Sequence, residues 1–527
     1  MDKESGLIFL LVLLLCDESC ADQTSCPDKC QCFTPDQVLC TEGGMPYLPR
    51  NVSRKVKEFI IMSSDLQYLF SHTLVQSPHL TKLIFINNAL RSVHSQAFEH
   101  LAELQELEIS GNPRLEDLFK GTFAKQGNLT KLLLNFNSVT TVQPGTFDPL
   151  KRLETLQVKG NAISQLTTFL FLHLERLRVL DLSQNKIKGV ERETFSGLER
   201  LEILKISYNL ISNLTSDAFR DIPQLEELHL ESNQMSELTG GVFGALTRLR
   251  VVNLRGNLLT AFSGKAFGCQ ASDLQELNLK GNRLTKLSSL TNLTSLSSLI
   301  LASNRLSALP EDIFRNNTLL EYLDLSGNQL AALPGTIFHG LRGIKSIYLN
   351  ENNLSELDAN LFADQELMQQ LHLSDNKLET LPRGLLDPFV IQHTVRLHGN
   401  PWKCDCRMSH LHDWVLRNSP DIEMLDRMLC DSPAFLKRRP VASIGGEQLV
   451  CRRPADETLD LNRCSQEAHN GAVIIKCKVD KCSPLTVKVQ FLEDGGGVNE
   501  HALKSQPENS HCSNETLRES SANAWNK

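Results

Sequence analysis

The sequence has little of what marks nucleic-acid or membrane-surface proteins. Its 527 residues carry a formal net charge of −8, and only 22% of them are charged. Proteins that bind nucleic acid or anionic membranes usually have a basic excess, so we expect neither partner. Aromatic residues are also scarce at 6%, and 23 of them are phenylalanine against five tyrosines and three tryptophans. Such a skew indicates that phenylalanine has a positional role.

Long apolar runs are scarce as well. The run near the N-terminus, residues 7–15, has nine residues, whereas a helix needs about 20 to cross a bilayer. It follows a charged start and precedes Ser19 and Ala21, an arrangement typical of a signal peptide cleaved after Ala21. We therefore expect a signal peptide over residues 1–21, no membrane span, and a protein secreted into the extracellular space.

Signatures of catalysis are missing too. No G-x-S-x-G, phosphate-binding loop or dinucleotide-binding pattern occurs. One H-x-x-E, His100 to Glu103, has the spacing of a zinc-peptidase ligand pair, but the leucines around it keep the spacing of the repeat, so we expect surface residues there. Cys269 stands alone among the repeats beside Phe267. Because no activating base is indicated, we expect a buried, inert thiol there. The alternative is a reactive nucleophile. We predict no catalytic residue, no metal site and no cofactor.

The cysteines cluster instead of spreading along the chain. Beyond the expected signal peptide, four lie in residues 26–40, four in 404–451 and four in 464–512. Even groups in an exported chain indicate disulfides. Seven Asn-x-Ser/Thr sequons also fit export and are candidate glycosylation sites. They are Asn51, Asn128, Asn213, Asn292, Asn316, Asn353 and Asn514.

A repeat of Leu-x-Leu-x-x-Asn fills the central region. Its asparagines run from Asn88 to Asn400 at intervals of 24 residues, with two intervals of 25 and one of 22, and Ser64 takes the same place one period earlier. Leu180 and Leu182 are two residues apart, so both point to one side of a short strand. The pattern resembles the leucine-rich repeat. That resemblance implies an α/β solenoid, a leucine-rich repeat horseshoe with a parallel β concave face.

The resemblance also gives the asparagines and phenylalanines a role. Each asparagine amide is expected to hydrogen-bond backbone groups of its turn, which Ser64 can do only in part. Ten residues after most of these asparagines stands a phenylalanine, and we expect the rings to form a stacked spine on the convex side. They are Phe98, Phe123, Phe147, Phe171, Phe195, Phe219, Phe243, Phe267, Phe314, Phe338 and Phe362.

The repeat stops at Asn400, where Pro401 and Trp402 follow. An open stack would expose an apolar face and an unpaired strand edge, so we expect a lid in which Trp402 covers the last leucines. Both cysteine groups flanking the repeats resemble the caps of extracellular leucine-rich repeat proteins. This resemblance implies the pairs Cys26–Cys32, Cys30–Cys40, Cys404–Cys430 and Cys406–Cys451, whereas spacing alone leaves other connectivities open.

These patterns predict five segments. They are a signal peptide (1–21), a cysteine-rich N-terminal cap (22–55), about fourteen to fifteen 24-residue repeats (56–399), a cysteine-rich C-terminal cap (400–452), and a small β-type disulfide-containing module with a polar tail (453–527). The pairing of Cys464, Cys477, Cys482 and Cys512 stays open. So does the role of the tail after about residue 493.

The concave face is the expected binding surface. Fifteen strands spaced about 4.8 Å apart would line an arc of about 70 Å, which fits another protein better than a metabolite. The residues between the leucines face this arc, and an apolar patch with a polar rim, tyrosine and arginine is typical of contact sites. The candidates are Ile60, Met62, Ile84, Ile86 and Leu133 near the N-terminus, and Tyr322, Tyr348, His372, Arg396 and His398 near the C-terminus. The simpler alternative is that scattered exposed apolar residues are normal.

Several stretches together resemble one narrower family. LTKLIFIN, LTKLLLNFNSV, LHGNPWKCDC, SPAFLKRRP followed by EQLVC, and VIIKCKVDKC are similar to the regulatory, leucine-rich repeat subunits of carboxypeptidase N. The resemblance implies a secreted, non-catalytic glycoprotein that binds and stabilises a zinc carboxypeptidase subunit in a hetero-oligomer. The alternative is a soluble recognition or adhesion protein that binds a growth factor, receptor or matrix ligand. The partner, the stoichiometry and the occupancy of the sequons stay open.

Overall fold

The computed structural model describes residues 26–50, 52–71 and 74–451, together with strands at 464–469, 472–477, 486–492 and 498–504. The expected signal peptide and the residues Asn51, Asn514, Cys482 and Cys512 lie outside the described residues. The chain divides into two compact units, residues 1–449 and 450–527.

One sheet of 18 strands runs through the first unit. Its first strand, Cys30–Thr34, pairs antiparallel with Gln37–Cys40, which then pairs parallel with Glu58–Met62. The strands of the repeats pair parallel, each with the next in the chain, up to Ile422–Glu423. The strands of the repeats are Glu58–Met62, Lys82–Ile86, Glu106–Ser110, Lys131–Leu133, Thr155–Gln157, Val179–Asp181, Ile203–Lys205, Glu227–His229, Val251–Asn253, Glu276–Asn278, Ser298–Ile300, Tyr322–Asp324, Ser346–Tyr348, Gln370–His372 and Thr394–Arg396.

The leucine pattern sets the register of this sheet. Leu156 lies opposite Leu180, and Leu180 lies opposite Leu204; all three are fully buried. One repeat therefore moves the chain by one strand and returns its leucines to the same core. The predicted horseshoe with a parallel β concave face is confirmed.

The convex side consists of turns, short 3-10 helices and two-residue strands. The 3-10 helices of the repeats are Arg192–Phe195 and Gly264–Phe267. The short parallel strands are Tyr68–Leu69, Ser92–Val93, Asp117–Leu118, Thr141–Val142, Gly189–Val190, Asn213–Leu214, Ala261–Phe262 and Lys286–Leu287.

The phenylalanines form a spine behind the sheet. All eleven that the sequence singles out are buried. Rings of neighbouring repeats contact each other in three runs, from Phe123 to Phe171, from Phe195 to Phe267 and from Phe314 to Phe362. The centroids of Phe195 and Phe219 are 6.2 Å apart, and those of Phe219 and Phe243 are 6.0 Å apart. Stability thus comes from contacts between neighbouring repeats, as stacking of this kind requires.

The ladder asparagines satisfy buried backbone groups. The Asn185 amide nitrogen donates to the carbonyls of Val158 (2.9 Å) and Leu182 (3.0 Å), and its oxygen accepts from the Ile163 amide at 3.1 Å. Ser64 instead donates its hydroxyl proton to Asn88 Oδ1 at 2.6 Å and accepts from the Leu66 amide at 3.3 Å. The serine therefore replaces part of this network, as we expect from its shorter side chain.

Both ends of the sheet are covered by disulfide-bonded caps. The N-terminal hairpin contains the pairs Cys26–Cys32 and Cys30–Cys40. In the C-terminal cap Cys404 pairs with Cys430, and Cys406 and Cys451 are each disulfide-bonded. The three pairs that the structure specifies are among those implied by the resemblance to extracellular caps.

Trp402 seals the C-terminal end of the core. It is fully buried, its indole nitrogen donates to the Leu397 carbonyl at 3.0 Å, and its strand, Trp402–Lys403, pairs with Cys430–Ser432. The α-helix Ser409–Arg417 packs Leu411, His412 and Val415 inward. The other short elements of the cap are the 3-10 helices Cys406–Met408, Ser419–Asp421, Leu425–Arg427, Ala434–Leu436, Val441–Ser443 and Gly446–Gln448.

The second unit contains two antiparallel hairpins. Cys464–His469 pairs with Ala472–Cys477, and Thr486–Leu492 pairs with Val498–Lys504. The register places Cys464 opposite Cys477. These strands have the β character that the alternating sequence predicts.

Cys269 departs from the sequence-based expectation. We expect a buried thiol, but Cys269 is a free and exposed cysteine. It follows the 3-10 helix Gly264–Phe267 and Gly268, which has a φ of 84°. The 25-residue interval between Asn257 and Asn282 adds its extra residue to this loop, so the loop lies outside the core and the expectation of burial is wrong.

Candidate functional site

The concave face displays the residues between the core leucines. Phe59 and Ile61 are fully buried, whereas Ile60 and Met62 of the same strand are half-buried on the opposite side. The same alternation holds at the other end, where Val395 is fully buried and Arg396 is half-buried. The ten predicted contact residues therefore all lie on one surface, in two groups separated by the middle repeats.

The N-terminal group forms a compact patch. Ile60 lies opposite Ile84, and Met62 lies opposite Ile86. Leu133 follows two strands later in the same row as Ile84. We call these five residues, together with Glu108, the N-terminal patch. Its accessible apolar surface belongs to Ile60, Met62 and Ile86, which are half-buried.

Two members of this patch are less accessible than the sequence predicts. Only 8% of Ile84 and 9% of Leu133 is exposed. Side chains on the inside of a curved sheet crowd one another, and both residues have neighbours on two adjoining strands. They act as the walls of the patch, and the expectation that they are exposed is wrong.

Glu108 is the residue that sequence reasoning missed. It lies in the row of Ile84 and Leu133, directly between them. Burial raises the pKa of the Glu108 carboxyl group, while a hydrogen bond with Ser110 and the charge of Lys131 lower it. Comparing the same position across repeats would have found it, because it is the one acid in an otherwise aliphatic row from residue 60 to 133.

A charged row borders the patch. Lys131 Nζ lies 2.8 Å from Glu106 Oε1, and Lys82 Nζ lies 3.6 Å from Glu106 Oε2. Beside them, Gln37 donates to Glu58 Oε2 at 3.0 Å. Glu106 thus forms an ion pair with both lysines. The charged row supplies the polar rim that contact sites usually have.

The C-terminal group is an aromatic cluster. The rings of Tyr322 and Tyr348 are 5.2 Å apart, and Tyr348 meets His372 edge-on at 4.5 Å. The Tyr348 hydroxyl donates to Gln370 Oε1. Arg396 lies next to His372 in the register and forms an ion pair with Glu423 at 2.5 Å.

Burial suppresses charge in this cluster. Only 9% of His372 is exposed, and burial together with the charge of Arg396 lowers its pKa to about 4. Burial and the nearby Asp324 raise the pKa of Tyr322 to about 12. His398 Nε2 is 3.8 Å from Asp375 Oδ2 at the rim. At neutral pH His372 and Tyr322 are therefore uncharged, and the surface suits aromatic or aliphatic contacts.

The middle of the face is polar. His229 Nε2 lies 3.3 Å from Glu227 Oε2, and His229 Nδ1 lies 4.0 Å from Glu231 Oε2. Lys205 is opposite His229 on the neighbouring strand. This stretch separates the two candidate patches.

The sequons in the described residues lie away from the concave strands. Asn128, Asn213 and Asn316 are exposed, whereas Asn292 and Asn353 are half-buried. The Asn292 amide nitrogen donates to the carbonyls of Gly264 (2.8 Å) and Gly268 (3.1 Å). None of these five belongs to a strand of the main sheet.

Comparison with known families matches this architecture. The family model described as leucine rich repeat matches residues 54–113, 114–163, 151–209, 175–235, 223–284, 247–306, 294–348 and 318–378. Together these segments cover residues 54–378, more than half of the chain. The chain belongs to the leucine-rich repeat family.

Three curated relatives have similar segments. Human carboxypeptidase N subunit 2 is 31% identical over 142 residues, covering 23% of this chain and 26% of the relative. The mouse protein of the same name is 30% identical over 131 residues, covering 20% and 24%. The rat platelet glycoprotein Ib beta chain is 38% identical over 68 residues, covering 13% and 32%. The chain thus spans about a quarter of the length of the first two relatives.

Solved structures share the fold. A leucine-rich repeat protein of Leptospira interrogans aligns with a TM-score of 0.62 and 27% identity, covering 72% of this chain and 93% of that one. TLR13, solved in a complex with ssRNA13, aligns with a TM-score of 0.59 and 22% identity, covering 75% and 58%. These likenesses show the leucine-rich repeat fold that the two structures share with this chain.

The disulfides of the two caps indicate an extracellular protein. Bonds such as Cys26–Cys32 persist in oxidising compartments. Across the residues that the structure describes, no helix has both the length and the apolar character needed to cross a bilayer.

Proposed function

We propose that this chain is a secreted, non-catalytic glycoprotein that binds and stabilises a secreted zinc carboxypeptidase subunit through its concave face. The observation that carries the proposal is the N-terminal patch, in which half-buried Ile60, Met62 and Ile86 lie side by side on neighbouring strands. Contiguous apolar surface with a charged rim is typical of protein contact sites. Similarity to carboxypeptidase N subunit 2 supports the choice of partner.

The placement of the sequons supports the same surface. Asn128, Asn213 and Asn316 are exposed at positions outside the concave strands. Glycans attached there would cover the loops and leave the inner arc open to a protein. The chain would then contribute bulk and carbohydrate to a hetero-oligomer, while the partner contributes the catalytic residues.

The test is binding of the purified catalytic subunit of carboxypeptidase N to the immobilised full chain. Met62→Asp combined with Ile86→Asp should weaken binding at least about tenfold, because a tenfold change corresponds to only about 1.4 kcal/mol and burying one such side chain contributes about 1.5–3 kcal/mol. The matched control is Leu319→Asp, since Leu319 is 59% exposed and lies outside the sheet. The control should bind as the unmodified chain does.

Two results would contradict the proposal. Equal binding by the double variant and the unmodified chain would remove the N-terminal patch as the contact site. If the catalytic subunit does not bind the unmodified chain while a growth factor, receptor or matrix protein does, the recognition or adhesion class is correct. Assay of the purified chain alone should show no peptidase activity.

A further inference from the structure

Glu108 interrupts an apolar row. Its register neighbours are Ile84 and Leu133, of which only 8% and 9% is exposed. The carboxylate is therefore walled on both sides by aliphatic side chains and opens toward the hollow of the concave face.

Within the described residues, no cation forms an ion pair with Glu108. Lys82 and Lys131 are the nearest lysines in the register, and both form ion pairs with Glu106 instead, at 3.6 and 2.8 Å. The partner of Glu108 is the Ser110 hydroxyl group, which also accepts from the Asn135 amide at 3.2 Å. Glu108 is thus the one charged member of the N-terminal patch, its charge is negative, and the nearby Lys131 and Lys82 offset it only from a distance.

An acid in this position disfavours the folded state at neutral pH. Burial raises its pKa, so the folded chain holds the proton more tightly than the unfolded chain. Stability therefore falls as the pH rises from the unfolded-state pKa to the raised folded-state pKa. Glutamine would make a similar hydrogen bond without the charge. A perturbed acid of this type, held in a contact surface at a loss of stability, is typical of a functional group.

We propose that the N-terminal patch receives a partner segment in which an arginine or lysine side chain is flanked by apolar residues, with the cation pairing with Glu108. This inference rests on the proposed use of the concave face as a protein-binding surface. The cation would remove the unpaired charge, and the apolar flanks would cover Met62, Ile86 and Ile60. An acidic segment would instead place a second negative charge beside Glu108, which costs binding energy.

The test selects phage-displayed 12-residue peptides on the full chain and compares each selected peptide on Glu108→Gln and on the control Glu237→Gln. Glu237 is an exposed loop residue. We expect the selected peptides to contain arginine or lysine next to apolar residues. They should bind Glu108→Gln at least about tenfold more weakly and the control unchanged. In mildly acidic buffer, binding should release protons from the unmodified chain but not from Glu108→Gln, because a paired cation lowers the pKa of Glu108.

Selected peptides without a basic residue, basic peptides that bind Glu108→Gln equally well, or a selection that enriches nothing would each overturn the inference. The proposed function fails separately. Loss of binding of the catalytic subunit in Met62→Asp with Ile86→Asp, together with intact binding in Glu108→Gln, would support the docking surface and contradict the proposed role of Glu108. If binding of basic peptides depends on Glu108 but the catalytic subunit does not bind at all, the result contradicts the choice of partner and supports the role of Glu108.

Discussion

Removing one ladder asparagine tests how the repeats are held together. Asn233 is 95% buried, with only 5% exposed. Its amide nitrogen donates to the carbonyls of Ile206 and Leu230, both at 3.0 Å, and its oxygen accepts from the Ile211 amide at 3.0 Å. Asn233→Ala deletes all three hydrogen bonds and leaves the backbone partners in place.

The expected magnitude follows from which partners are left without a bond. The Leu230 carbonyl keeps a second donor, Asn257, at 3.0 Å. The Ile206 carbonyl likewise keeps the Asn209 amide nitrogen at 3.1 Å. Among the described residues, only the Ile211 amide loses its hydrogen-bond partner. A buried group left unsatisfied costs about 1–3 kcal/mol. Because one buried amide loses its acceptor, we expect a loss of about 1–3 kcal/mol in the free energy of unfolding.

The assay compares urea unfolding of Asn233→Ala with that of Asn360→Ala, whose exposed asparagine lies in a turn of the convex side. The control should change the free energy of unfolding by less than about 0.5 kcal/mol. Hydrogen exchange should show faster exchange at the Ile211 amide in the first variant only. If the two variants unfold within about 0.5 kcal/mol of each other, the turn is hydrated and the asparagine ladder does not stabilise the stack.

Three further predictions test the spine, the aromatic cluster and the sequons. Phe219→Ala removes ring contacts with both neighbouring repeats and should lower the free energy of unfolding by about 3–5 kcal/mol; a loss below about 1 kcal/mol would show that the spine is loosely packed. Because the pKa of His372 falls from 6.5 to about 4 on folding, its contribution to stability is complete above pH 6.5 and declines as the pH falls from 6.5 toward 4. Thermal unfolding of His372→Gln should therefore vary less over that range, and equal slopes would contradict the argument. Mass spectrometry of the expressed chain should find glycan at the exposed Asn213 but none at Asn292, whose amide nitrogen is bonded inside a loop; the opposite pattern would refute the structural assignment.

The sequence predicted the structure correctly where the spacing of residues within one repeat decides which side chains are buried. The spacing of Leu180 and Leu182 predicts a buried pair on a strand, and both are buried. The interval from Asn400 to the cysteines predicts a cap with Trp402 at the end of the core, which the structure has. In these cases the covalent spacing decides which side chains share a face, so the fold follows from the pattern.

Prediction was incomplete where the answer depends on a neighbour one repeat away. Ile84 and Leu133 are on the predicted face but are nearly buried, because adjoining strands of a curved sheet crowd them. Cys269 is exposed because the extra residue of its repeat enlarges a loop. The contact site itself stays a prediction.

The amino-acid order is thus enough to establish a capped leucine-rich repeat solenoid, since periodic spacing specifies strand, turn and core within every repeat. The accessibility of Met62 and Ile86, the partial burial of the Glu108 carboxylate and the uncharged state of His372 come only from stacking. Each of them depends on the curvature of the sheet and on side chains 24 or 25 residues away in the chain. A local sequence pattern does not predict how close those side chains lie or how much solvent they exclude.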